Sequence, residues 1–263
     1  MKTPRLLLLC SGLLLANALQ ASQVAVRYAE GLSRGFLVVR TPDGKRIGAG
    51  ESFQFFRGER VTNHLVLKLK DGSVYEETTV FTQRRTFRLL SNRVVQKGPA
   101  FKQQMDSSID TTTGRVVVHY SDGGKTKTLD QKVDMPDDLA NGMESTIVKD
   151  ILSEPVTEVS YLAITPKPRL AKVTITRGGK EKFTDGAVTY EAVHLVMKFR
   201  VTGIAGAAAS VLGKQPPDTD MWVFGGEAPA YATSIGPIAA GAGVWRIDLV
   251  SPVLAEKAES EER

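Results

Sequence analysis

One amphipathic helix near the middle of the chain constrains the fold more than any other sequence feature. Residues 135–152, MPDDLANGMESTIVKDIL, carry apolar side chains at helical spacing, whereas short alternating segments flank them on both sides. We expect a helix near 136–152 with Pro136, Asp137 and Asp138 in its first turn, where the helix dipole favours negative charge. Its apolar face consists of Leu139, Met143, Ile147, Val148, Ile151 and Leu152. Because this face must be covered, the flanking segments have to pack against it.

A turn-forming dipeptide inside this segment allows a second interpretation. Asn141-Gly142 is a common turn sequence, and a glycine in a helix interior costs about 1 kcal/mol relative to alanine. In this interpretation, a turn over residues 136–140 precedes a helix over residues 143–152. The segment would then be a hinged cover for a β body.

The rest of the chain alternates β-favouring runs with turn signals, which is typical of an antiparallel meander. Leu65, Leu67 and Leu69 alternate with polar neighbours, and this period of two recurs over residues 193–201. A strand over residues 170–176 is expected to end at a pair of glycines, Gly178-Gly179.

No linker or repeat divides the chain, so the sequence predicts a single β domain over residues 22–254. The fold class is mainly β: an antiparallel sheet curved into a barrel or half-barrel, with the one central helix packed on it.

The first 21 residues are typical of a secretory signal peptide. Lys2 and Arg5 precede a leucine-rich run over residues 6–15, and small residues place cleavage after Ala18 or Ala21. The alternative is a short membrane anchor, but the apolar run is shorter than the about 20 residues that a span needs. We therefore expect a periplasmic or secreted protein with no transmembrane span in its mature chain.

Cysteine usage and charge exclude several classes of function. The sole cysteine, Cys10, lies in the leader, so the mature chain has no disulfide, thiol nucleophile or thiolate metal site. Without the leader, the formal net charge falls from +5 to about +3. Export argues further against nucleic acid as a partner. The tail over residues 255–263, AEKAESEER, is charged and is expected to fray or to form a loose helical end.

The strongest local excess of positive charge begins at Arg84, Arg85 and Arg88. These side chains could dock to an anionic envelope component, such as lipid head groups or cell-wall anions. The alternative is a set of outward-facing charges on exposed strands.

No motif of known chemistry is complete in the sequence, whether phosphate loop, dinucleotide fingerprint or nucleophile elbow. Glu76 and Glu77 are neighbours on a strand, which places them on opposite faces. A catalytic acid and base drawn from separate strands stays an open alternative. We expect no cofactor and no metal site, because each histidine is isolated in a strand pattern, at His64, His119 and His194.

Two late stretches, residues 203–213 and 235–243, are apolar but consist of small residues. They could form a lid or loops that line an apolar pocket. Alternatively, they form tightly packed turns or a short helix over the sheet edge.

Three segments carry a resemblance to a known group of proteins. Residues 87–90, 96–101 and 136–142 resemble the corresponding segments of uncharacterised exported bacterial proteins that share an all-β body with an inserted helix. The resemblance covers most of the mature chain and implies no activity. The organisation is also similar to periplasmic β-sheet carriers of lipids and lipoproteins, in which a curved sheet wraps a helix around an apolar cavity.

We therefore expect an exported, noncatalytic protein that binds a lipid, another apolar or amphiphilic ligand, or an envelope component between sheet and helix. The alternatives are an envelope-directed hydrolase with carboxylates from separate strands, and a structural docking protein with a basic strand face. The side chains expected to contact the ligand are Phe87, Leu89, Phe101, Leu139, Met143, Trp222 and Trp245.

Overall fold

A computed structural model describes residues 23–165, 167–185, 188–201, 216–239 and 241–250. The expected signal peptide over residues 1–21, the small-residue stretch over residues 203–213 and the charged tail over residues 255–263 lie outside the described residues.

The described chain consists of strands and one short helix. In chain order the elements are β1 Ser33–Arg40, β2 Arg46–Arg57, β3 Arg60–Leu69, β4 Val74–Gln83, β5 Phe87–Lys97, β6 Met105–Asp110, β7 Arg115–Asp122, β8 Lys125–Lys132, α1 Glu144–Asp150, β9 Val156–Ala163, β10 Arg169–Asp185, β11 Val188–Val201, β12 Thr219–Phe224, β13 Ala230–Pro237 and β14 Val244–Val250. Among the described residues, no helix is long and apolar enough to span a membrane.

All fourteen strands form one antiparallel sheet in which sequence neighbours lie side by side. Strands β1 to β8 extend from the centre towards one edge, β9 to β14 return from the other edge, and β14 pairs with β1. The predicted mainly β, antiparallel fold is therefore confirmed. The barrel alternative is wrong, because among the described strands the edges β8 and β9 stay unpaired and the connection that carries α1 lies between them.

The sheet bends around α1. Val118 of β7 and Val173 of β10 belong to one buried cluster with Val148 of α1, and all three are 0% exposed. On a flat sheet, the eleven strand spacings between β7 and β10 would put about 50 Å between them. Both halves of the sheet therefore pack on the helix, as its apolar face predicts.

Helix α1 is shorter than the amphipathic pattern suggests. It begins at Glu144, after Gly142 with a φ of +70°, so the predicted helix start at Pro136 is wrong. The alternative interpretation, a turn followed by a helix, is confirmed. Asp137 and Asp138 accordingly lie outside the helix and do not stabilise its dipole.

Residues 136–142 cover the edge of β9 instead. The Asn141 side chain donates to the carbonyl of Leu162 over 2.9 Å and accepts from its amide over 2.8 Å. Asp138 accepts a hydrogen bond of 2.9 Å from the Ser160 hydroxyl. These side chains satisfy backbone groups and a hydroxyl on an edge strand that has no strand neighbour on this side.

Replacing Asn141 with alanine is expected to lower the free energy of unfolding by about 2 kcal/mol. The variant leaves both polar groups of Leu162 without these partners in a buried environment, since Asn141 is only 3% exposed. Urea denaturation followed by circular dichroism measures the loss. The control is Asn63→Ala, which removes one half-buried contact to Ser52 and should cost about 0.5 kcal/mol. Equal losses in the two variants would contradict the role of Asn141.

Candidate functional site

A cavity of about 430 Å³ lies between the bent sheet and α1. Both halves of the sheet contribute to its wall, as does the side of α1 that faces them. This volume is within the range of small-molecule sites. The apolar part of the wall includes Leu37, Leu65, Met197, Phe199, Met221 and Ile247.

Two glutamates from different elements line the cavity, Glu77 of β4 and Glu144 at the start of α1. The Tyr75 hydroxyl donates to Glu77 Oε2 over 3.1 Å, and Asn92 Nδ2 donates to Glu77 Oε1 over 2.7 Å. The Tyr161 hydroxyl of β9 donates to the Glu144 carboxylate. We call Glu77 and Glu144 the glutamate pair.

Strand alternation explains why Glu77 faces inwards. Tyr75 and Phe81, at even spacing from it along β4, are both buried. Glu76 lies on the opposite face, where its Oε1 is 3.1 Å from the ring nitrogen of the half-exposed His64. The prediction that Glu76 and Glu77 point to opposite faces is therefore confirmed.

A glycine brings the start of α1 against β4 and β5. A β-carbon at Gly142 would lie 2.6 Å from Asn92 Nδ2 and 2.7 Å from Glu77 Oε1, and would also collide with Thr79 Oγ1. The positive φ of Gly142 additionally favours a residue without a side chain. Close approach of the backbone at this position therefore sets Glu144 beside Glu77.

Burial raises the pKa values of both members of the glutamate pair. Loss of solvation raises the pKa of Glu77 to about 7; the charge on Glu144 contributes further, and hydrogen bonds from Asn92 and Tyr75 oppose the shift. Loss of solvation also raises the pKa of Glu144, against the hydrogen bond from Tyr161. Near neutral pH, Glu77 therefore exchanges its proton with solvent.

The two tyrosines remain donors across this range. Burial, together with the nearby glutamate charges, raises the pKa of Tyr75 and that of Tyr161 well above the usual value. Both hydroxyls therefore keep their protons and can donate to the glutamate pair at every pH at which the pair titrates.

The other charged side chains on the cavity wall have partners of opposite charge. Lys149 of α1 pairs with Glu30, whose other oxygen accepts a 2.7 Å hydrogen bond from Gln54. Arg34 pairs with Glu51. Among the described charged side chains of the wall, the carboxylates of Glu77 and Glu144 are thus the ones without an ion-pair partner.

The side chains predicted to contact a ligand are all described, and none of the seven lines this cavity. Phe101 and Trp245 pack together in a second buried cluster, with ring centroids 5.7 Å apart. Trp222 is half-buried and stacks on His194, with ring centroids 4.7 Å apart. The remaining four are buried in the cluster around α1: Phe87, Leu89, Leu139 and Met143.

Two of the three arginines in the predicted basic patch lie close to acidic side chains. Arg84 is 3.3 Å from Glu59, and Arg88 is 3.0 Å from Asp137. Arg85 is exposed in the turn between β4 and β5. Docking of an anionic partner to this patch stays a prediction.

The three histidines lie apart and have different partners. His119 contacts the Thr128 hydroxyl over 2.9 Å, and His194 contacts Asp220 over 2.7 Å. His64 contacts Glu76, as described above. No group of three or more metal-ligating side chains occurs among the described residues.

The small-residue stretch over residues 235–243 contributes to the cavity wall and to core packing. Gly236, Pro237 and Ile238 line the cavity, whereas Ala239 and Ala242 pack on the second cluster. Gly236 and Pro237 line the cavity as part of β13 and not as the expected loop, whereas the residues after them form a packed turn. Residue 240 lies outside the described residues.

The sequence held a weak signal for the glutamate pair. Glu77 interrupts the inward face of β4 between Tyr75 and Phe81, and Glu144 lies one helical turn before the buried Val148. An acidic residue on an otherwise apolar face is a useful signal for a buried polar site. Neither pattern alone indicates that Glu77 and Glu144 lie next to each other in the fold.

Comparisons with protein-family models, with curated proteins and with solved structures each found no match to this chain.

Proposed function

We propose that the protein is an exported, noncatalytic binding protein that holds an apolar or amphiphilic ligand between the sheet and α1. The observation that carries this proposal is the cavity of about 430 Å³, whose wall combines apolar side chains with the glutamate pair. Burial of ligand surface would supply about 25 cal/mol per Å², offset by the cost of ordering the ligand. The leader over residues 1–21 supports a periplasmic or secreted location.

A second candidate is an envelope-directed hydrolase, favoured by the glutamate pair. Two carboxylates on either side of a scissile bond can act as general acid and general base. Such catalysis works best when one carboxyl group is protonated and the other ionised. Here the pKa of Glu77 is raised to about 7, in part by the charge on Glu144, so the pair can meet this condition near neutral pH.

The binding proposal predicts saturable uptake of N-phenyl-1-naphthylamine, an uncharged fluorophore, with a fluorescence increase on burial. Ala230→Trp fills the cavity from its wall and should weaken binding at least about tenfold, which corresponds to about 1.4 kcal/mol. The matched control is Ala228→Trp, an exposed position two residues away that does not line the cavity. Its affinity should equal that of the wild type.

Extraction of the protein purified from its native source, followed by mass spectrometry, provides the complementary measurement. A bound apolar compound in wild-type protein, and none in Ala230→Trp, is the expected result. Absence of saturable fluorophore binding together with absence of any extracted ligand would overturn the proposal. Equal binding by the two tryptophan variants would place the ligand elsewhere on the protein.

A further inference from the structure

We propose that the cavity selects a cationic amphiphile, with its protonated amine between Glu77 and Glu144 and its apolar chain along the wall that includes Met197 and Phe199. This inference rests on the proposed function, because it names the ligand class of the same cavity. It concerns the headgroup, whereas the proposed function concerns burial of the apolar part.

The charge balance of the cavity wall supports a cationic headgroup. Lys149 is neutralised by Glu30, and the glutamate pair receives hydrogen bonds from the neutral groups of Asn92, Tyr75 and Tyr161. A buried carboxylate without a cation is costly, because neutral donors replace only part of its lost solvation. An ammonium group on the ligand would supply the missing positive charge.

The hydrogen-bonding capacity of the site matches the same group. Each carboxylate oxygen can accept two hydrogen bonds, and Glu77 receives one at each oxygen in this structure. An ammonium has three N–H donors for the remaining acceptor positions. The rings of Tyr161 and Phe199 both line the cavity, with centroids 5.4 Å apart, and aromatic rings add attraction for a cation.

The same wall disfavours the other ligand classes. An anionic headgroup would approach two acidic side chains, while both basic side chains on the wall are already paired. A divalent cation would find two carboxylates but no third metal-ligating residue among the described residues. An uncharged amphiphile could bind the apolar wall and would leave the glutamate pair without a counter-ion.

Binding of a cation to this site must be linked to proton release. The groups that face Glu77 are Tyr75 from its own strand, Asn92 from β5, Glu144 from α1 and Tyr161 from β9. Of these, Glu144 also has a raised pKa, whereas the pKa values of Tyr75 and Tyr161 lie well above their usual value. Affinity for an amine should therefore rise with pH by up to about tenfold per unit as Glu77 loses its proton, and should level off above pH 7.

Isothermal titration calorimetry of the full chain with n-octylamine, n-octanol and n-octanoate tests the proposal, because these probes differ in headgroup but not in chain length. At pH 8, n-octylamine should bind most tightly, and its affinity should be at least about tenfold lower at pH 6. The affinity for n-octanol should be the same at both values.

Three variants assign the effect to the glutamate pair. Glu77→Gln and Glu144→Gln should each reduce the affinity for n-octylamine at pH 8 about tenfold and retain the affinity for n-octanol, which also reports that the variant is folded. Glu76→Gln changes the neighbouring carboxylate on the opposite face of β4 and should bind all three probes as the wild type does.

The remaining outcomes separate the two proposals. If n-octanol binds but n-octylamine binds no more tightly, or if n-octanoate binds most tightly, the cationic ligand class is overturned and the proposed function stands. The ligand class also fails if n-octylamine binding is unaffected by both glutamine variants. If none of the three probes binds, the cationic ligand class is overturned, and the proposed function fails with it if the fluorophore does not bind and no ligand is extracted.

Discussion

Glu77→Gln should raise the free energy of unfolding by about 2 kcal/mol more at pH 8 than at pH 5. The pKa of Glu77 is about 7 in the folded protein, above its ordinary value of 4.5. Between these values the folded state holds the proton more tightly than the unfolded chain does. The stabilisation that the protonated Glu77 provides is therefore complete below about pH 4.5 and is lost as the pH rises to about 7. Glutamine carries no charge, so the variant avoids this loss.

Urea denaturation of the wild type and the variant at several pH values between 5 and 8 measures this difference. Glu76→Gln is the matched control, because Glu76 is half-exposed on the opposite face of β4 and its contact with His64 is worth at most about 0.5 kcal/mol. Parallel stability profiles for Glu77→Gln and the wild type would show that Glu77 ionises as freely in the folded protein as in the unfolded chain. An increase in the free energy of unfolding on removal of the Glu77 charge is the result expected if this residue serves binding and not stability.

Gly142→Ala is expected to lower the free energy of unfolding by about 3 kcal/mol. Its new methyl group would collide with polar atoms of Thr79, Asn92 and Glu77, and the backbone would be strained at a φ of +70°. Relief of the collision requires the side chains of Thr79, Asn92 and Glu77 to turn away or α1 to shift from β4, and either change disturbs the glutamate pair. Chemical denaturation measures the loss of stability.

The control for this variant isolates the backbone contribution. Gly123 has a φ of +58°, and a β-carbon there would meet no atom within 4 Å. Gly123→Ala should therefore cost only about 1 kcal/mol, from backbone strain alone. If Gly142→Ala costs no more than Gly123→Ala, the close approach at Gly142 contributes nothing to stability.

Local sequence patterns predicted the sheet well because strand alternation and turns depend on near neighbours. Leu67 is buried in β3, as the alternation of leucines suggests. The predicted strand end at Gly178-Gly179 is wrong, since β10 continues to Asp185. A register shift between Arg177 and Lys180 accommodates the two glycines within the strand. Glycine there permits a bulge, and pairing with β11 continues beyond it.

The start of the helix could not be located from periodicity, because contacts distant in sequence decide it. Asn141 has its hydrogen-bond partner at Leu162, and Asp138 has its partner at Ser160, on a strand that follows the helix. Only the turn propensity of Asn141-Gly142 indicated a break. In the structure the break falls at this dipeptide, and the helix begins two residues after Gly142.

The cavity wall could not be predicted by choosing large apolar side chains. Phe87 and Leu89 are each 2% exposed, because large side chains fill the space between sheet and helix most completely. The cavity remains where smaller and polar residues, such as Ala230, Ser234 and Gly236, form part of the wall. Whether such residues enclose a cavity depends on the bend of the whole sheet.

The unpaired edges of the sheet leave a seam between its two halves. Residues 136–142 bind the edge of β9 by hydrogen bonds, which places α1 beside that half, whereas Glu77 belongs to the other. Residues 23–28 bridge this seam, because the Val26 amide donates to the carbonyl of Arg85 and the amides of Arg27 and Tyr28 donate to Asp150 of α1. Glu77 and Glu144 lie on opposite sides of the same seam, so a ligand between them would add a second link across it.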